Sequence, residues 1–92
     1  MVGKWRVLFT KYAQQDVKKL KSAHLKSKAE QLIDLLETDP FCEYPRYKKL
    51  LGELSGCYSR RINFQHRLVY QVDEKKKQVR VIRMFGHYEK SN

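Results

Sequence analysis

The chain has 92 residues, enough for one compact domain and too few for two. Hydrophobic residues make up 41% and aromatics 12%, which supplies a core and excludes wholesale disorder. Its 20 Lys and Arg against 10 Asp and Glu leave a net charge of +10, a field that favours a polyanion or an acidic protein as partner.

Cys42 and Cys57 form no CxxC pair, and His24, His66 and His87 do not stand at zinc-ligand spacing. Neither a metal site nor a cofactor is therefore expected. Two cysteines are too few for a disulfide-dense secreted domain. Behind Met1 there is no apolar signal segment, and no stretch approaches membrane-spanning length. The expectation is a single cytoplasmic domain over residues 1–92 with no membrane contact.

Trp5, Val7 and Phe9 alternate with Arg6 and Leu8, which predicts a first strand. Thr10 is placed to cap a helix in which Ala13, Val17 and Leu20 recur at helical spacing. After a break near Lys21-Ser22 comes a second, more amphipathic helix. Leu25, Ala29, Leu32, Ile33 and Leu36 share one of its faces. It stops around Thr38-Asp39-Pro40, because proline restrains the residue before it and cannot continue the ladder.

From Phe41 to Leu51 the chain reads as irregular, with aromatic and basic residues interleaved around Pro45. Such a mixture occurs on surfaces that stack bases and hold phosphates, and equally in connecting loops whose tyrosines pack on a sheet. The last third is β-rich. Strands over 57–62 and 67–72 flank the short turn Asn63-Phe64-Gln65-His66, and a third follows at 78–85 after a polar tip holding Lys75-Lys76-Lys77. This is an antiparallel meander. Leu32, Ile33, Leu36, Val7, Ile62, Leu68, Tyr70 and Val81 are the candidate core.

The placement of cations on the strands is unusual. Arg61 and Arg67 flank one turn, while Arg83 and His87 end the neighbouring strand. Converging guanidinium groups would suit a phosphodiester, whose oxygens accept bidentate bonds. Strand arginines pointing to solvent are the simpler alternative, and Arg61, Arg67 and Arg83 share a side only if the register allows it.

The run Leu54-Ser55-Gly56-Cys57-Tyr58-Ser59-Arg60-Arg61-Ile62-Asn63-Phe64-Gln65-His66-Arg67-Leu68-Val69-Tyr70 resembles the signature segment of YoeB/Txe toxins in the RelE superfamily. Arg83-Met84-Phe85-Gly86-His87-Tyr88 resembles that family's His-Tyr ending. The likeness covers about the C-terminal 40 residues at motif level and the rest in pattern. It implies an α+β, microbial-RNase-like fold of order β-α-α-β-β-β, with a helix pair on a twisted, mainly antiparallel sheet. It also implies ribosome-dependent cleavage of the mRNA codon in the A site, by attack of a ribose 2′-OH on the adjacent phosphate without a metal. The implied partners are a cognate acidic antitoxin and the ribosome, with homodimerisation left open.

The same resemblance distributes roles. Arg67 falls on the family's catalytic arginine and is expected at the scissile phosphate. Arg60 and Arg61 are expected on the RNA backbone, with Arg83, Arg46 and Lys49 as further RNA contacts. His87 falls on the general acid, a task imidazole suits because both protonation states exist near neutrality. Tyr88 would orient the substrate or stack on a base. His66 is expected to serve the turn or the packing. Lys48 stands where the family places a glutamate, its general base. An amine serves as a base only where burial or neighbouring cations favour its neutral form. Glu43 and Glu53 are the nearest carboxylates and neither matches the position. The alternatives are a catalytically silent member that binds RNA or antitoxin, and a ParE-like relative acting on DNA gyrase, against which Arg67, His87 and Tyr88 count.

Overall fold

The computed structural model describes residues 4–52 and 55–86. Along the chain run β1 (Arg6–Phe9), α1 (Lys11–Ser22), α2 (Lys26–Thr38), β2 (Tyr47–Lys49), β3 (Cys57–Arg61), β4 (Arg67–Asp73) and β5 (Gln78–Arg83). They form one five-stranded sheet of order β1-β5-β4-β3-β2. β1 runs parallel to β5, and every other neighbouring pair is antiparallel. Among the described residues no helix is long and apolar enough to cross a membrane.

Thr10 caps α1 as its residue type suggests. Its Oγ1 accepts from the Ala13 N–H at 3.1 Å and donates to the Ile82 carbonyl at 2.8 Å, so the cap also ties the helix to β5. α2 ends where Asp39 turns to extended backbone before Pro40.

The helices cover one face of the sheet. Ala13, Leu20, Ala29, Leu32 and Leu36 pack there against Ile62, Leu68, Tyr70, Val79, Val81 and Met84. Six of the eight expected core residues are buried, whereas Val7 and Ile33 are half-buried at the margin of this cluster. On the opposite face a smaller cluster joins Leu50, Cys57 and Val69, with Ile82 against it.

β2 lies inside the segment that reads as irregular. It is three residues long and pairs with β3, placing Lys48 opposite Ser59 and Tyr47 opposite Arg60. Tyr47 is half-buried. It joins Phe41 and Tyr58 in an aromatic group with ring centroids 5.5 to 6.2 Å apart.

Candidate functional site

The alternation of β3 decides which of its two adjacent arginines can meet a ligand. Arg60 has the parity of Tyr58 and points to the helix side, where it is 0% exposed. Its guanidinium donates to the carbonyls of Pro40 at 2.9 Å and Cys42 at 2.8 Å, to the Pro45 carbonyl, and to the Tyr70 hydroxyl at 3.1 Å. The Tyr47 ring lies 4.9 Å from it. Arg60 thus has all its donors directed inward and fastens the 40–47 segment to the sheet. It is a structural residue and not part of an RNA-contacting wall. Tyr70 completes the arrangement by donating to Pro40 at 2.8 Å. Burial pushes the Tyr70 phenol up to about 12 against the opposing pull of the Arg60 charge and hydrogen bond.

Arg61 has the other parity. It stands directly opposite Arg67 across the β3–β4 ladder, and Lys48 stands opposite Ser59 on the same face. Arg67 is only 7% exposed, and its Nε donates to the Ser59 Oγ at 3.1 Å. The backbone of the last described residue is docked beside it. The Arg67 N–H donates to the Gly86 carbonyl at 3.0 Å, and the Gly86 N–H donates to Nδ1 of His66 at 3.0 Å. His66 also stacks on Phe85, with centroids 4.0 Å apart and planes 20° apart. It has the packing role expected of it.

A cleft of about 810 Å³ opens between α2, the approach to β2 and the β3–β4 turn. Lys28, Arg46, Lys48, Arg61 and Arg67 line it, with Asn63 and Phe64 at the turn, and no carboxylate contributes among the described residues. Such a surface would attract phosphate from a distance and hold it by charge-assisted bonds at contact.

The sequence-derived set therefore divides. Arg46, Lys48, Arg61 and Arg67 come together in the cleft. Lys49, opposite Tyr58, alternates to the other face and does not line it. Arg83 turns to α1, where its Nε and Nη2 bind Asp16 at 2.9 and 3.1 Å. It does not share a side with Arg61 and Arg67. His87, Tyr88 and Glu53 lie outside the described residues. Glu43 is exposed and does not line the cleft.

Residues 9–88 match the family model of the YoeB-like toxins of bacterial type II toxin–antitoxin systems. The chain belongs to this family. It is 40% identical over 57 residues, 62% of its length, to Toxin YoeB of Mycobacterium bovis, and the match spans 65% of that relative. A YoeB/ParE toxin from Agrobacterium tumefaciens superposes with a TM-score of 0.80 at 28% identity, covering 90% of this chain and 99% of the other. A heterotetrameric YoeB–YefM toxin–antitoxin complex from Staphylococcus aureus contains a chain matching with a TM-score of 0.73 at 29% identity, covering 91% and 98%. These superpositions span nearly the whole of each neighbour, and the two helices on a mainly antiparallel sheet of this YoeB-like chain are the expected RelE-type α+β fold.

The sequence singles out neither Lys28 and Phe64 of this YoeB-like cleft, nor Ser59 beside Arg67, nor Asp16, which holds Arg83 on the helix side of the sheet. Asp16 carried a readable signal, since it lies at helical spacing between Ala13 and Leu20 on the apolar face of α1. A carboxylate there needs a buried partner. Burial alone would raise its pKa. The hydrogen bonds from Arg83 and the Met84 N–H, with the charges of Arg83 and Lys19, outweigh that and hold it below the ordinary carboxylate range.

Proposed function

We propose that this protein is a ribosome-dependent mRNA endonuclease, restrained in the cytoplasm by a cognate acidic antitoxin. The observation that carries the reading is the opposition of Arg61 and Arg67 across β3–β4 at a cleft that also holds Lys48. In the proposed reaction the ribose 2′-oxygen bonds to the adjacent phosphorus and the bond to the 5′-oxygen breaks. A cyclic phosphate and a 5′-hydroxyl result. Arg67 stabilises the charge that develops on the phosphorane, and Arg61 and Arg46 hold the backbone on either side. Lys48 takes the 2′-hydroxyl proton. His87 supplies the proton to the leaving oxygen and Tyr88 orients the substrate, roles that rest on the sequence resemblance alone.

The antitoxin reading rests on the +10 charge and on the solved toxin–antitoxin complex of the staphylococcal relative. An acidic segment laid along the cleft would neutralise the same cations that hold RNA. Its association should slow markedly with added salt, because steering acts through screened charges.

Primer extension on a reporter mRNA translated with the purified protein tests the reading. Breaks within A-site codons are expected, and uncut message would overturn it. A second reading, a silent member that binds without cutting, is favoured by one feature, the amine of Lys48 in place of a carboxylate. Ribosome binding without cleavage would support it.

A further inference from the structure

The β3–β4 turn presents an aromatic ring where folding has no use for one. Four backbone N–H groups around it are engaged. Asn63 Oδ1 accepts from the N–H groups of Gln65 at 2.9 Å and His66 at 2.7 Å, and the His66 carbonyl accepts from Ile62 and Asn63. Short polar residues and glycine usually occupy such a tip. Phe64 is 80% exposed there, and no aromatic ring or cation among the described residues stacks on it. It lines the cleft between Arg61 and Arg67, which enter and leave the same turn.

We infer that Phe64 is a substrate-binding residue whose ring stacks on a nucleobase of the single-stranded RNA, next to the phosphate held by Arg61 and Arg67. The inference rests on the nuclease reading for its substrate. An exposed ring beside paired guanidinium groups is the combination that single-stranded nucleic acid requires, because each nucleotide offers a π-face and an anion together. The bonds to Asn63 and His66 fix the turn backbone before binding, so only the side-chain rotation of Phe64 remains to be ordered by the stack. Every base has a π-face, so the contact adds affinity with little sequence preference. An acidic protein segment would use the cations and gain little from the ring, so RNA is the occupant the geometry favours.

The test uses programmed ribosomes carrying 2-aminopurine in an A-site codon made uncleavable by 2′-O-methylation, with cleavage of unmodified message measured alongside. Wild type should bind and quench the fluorophore. Phe64→Ala and Phe64→Leu should each bind about 10- to 100-fold more weakly, the scale of one lost base–aromatic stack, and lose the quench. Phe64→Trp should bind like wild type. In cleavage the Ala variant should raise KM and leave kcat nearly unchanged. The inference is overturned if Phe64→Ala binds and quenches normally, or if Phe64→Leu equals wild type, since apolar contact alone would then suffice. It is also overturned if Phe64→Ala loses antitoxin affinity while keeping RNA affinity. Binding and quenching without cleavage would sink the nuclease reading and leave the stack standing. A wild type that does neither sinks both.

Discussion

Arg61 and Arg67 face each other as direct partners across β3 and β4, two like charges at one rung of an antiparallel ladder. Like charges placed so are destabilising, by a few tenths to about 1 kcal/mol. On the proposed reading the site trades stability for a phosphate seat. Arg61→Gln should raise urea-unfolding stability by about 0.5 kcal/mol while weakening RNA engagement. Arg67→Ala should lower cleavage by roughly two to four orders of magnitude, the scale of a lost transition-state contact. Equal cleavage by wild type and Arg67→Ala would remove this cleft from the chemistry.

Lys48 stands on the same face as that pair. Lys48→Ala should abolish cleavage, and Lys48→Glu should preserve or increase it near neutral pH. Primer extension with the three proteins decides the matter. A silent wild type beside an active Lys48→Glu would identify a disabled toxin on an intact scaffold. If Lys48→Ala cuts as well as wild type, Lys48 is not the base.

Arg60 should respond as a structural residue. Arg60→Lys keeps the charge but loses the planar fork that reaches three carbonyls and a phenol at once. With several buried acceptors left short of donors, destabilisation of roughly 3 kcal/mol is expected. Tyr70→Phe should cost about 1–2 kcal/mol by the same reasoning. A double-mutant cycle by chemical denaturation should find the two strongly coupled. Additive losses would contradict the shared network.

Asp16 sets an acid limit. Its pKa is lowered in the folded state, so its contribution is complete above the unfolded value of about 3.9 and disappears as pH falls from there through the depressed folded value. Asp16→Asn should cost about 2 kcal/mol at neutral pH, the scale of hydrogen bonds to a charged group. Its deficit relative to wild type should shrink below about pH 4. A deficit that persists undiminished in acid would mean that packing, not charge, accounts for it.

Much of this architecture is readable in the residues, and the exceptions have physical causes. The helices and the three meander strands follow from periodicity, as with Leu32 and Leu36 on one side of α2 and the turn residues 63–66 between strands. β2 escaped because three residues, two of them lysine, carry no alternation of their own; the strand exists because β3 offers an open edge. Arg60 and Arg61 look alike as a dipeptide. Parity with Tyr58 and Ile62 marks Arg60 as inward-facing, a distinction that becomes decisive only once the sheet face is known. Arg83 was ambiguous for a related reason. Alternation along β5 puts it with Val79 and Val81 on the helix side, and its outcome becomes clear only once Asp16 of α1 is known to lie opposite.

The parallel contact between β1 and β5 joins Arg6 to Gln78 and Phe9 to Val81, so β1, once made on the ribosome, waits for β5 to follow. Chains emerge N-terminus first, and pairings so distant in sequence are entropically slow to form. While the nascent chain is short, β1 has no bonding neighbour and the capped start of α1 has no β5 carbonyl to grip. The five-stranded sheet therefore closes only after β5 has emerged. For a protein proposed to attack the machinery that makes it, this order of assembly is itself a delay: all five strands must leave the ribosome before the folded sheet can turn on message.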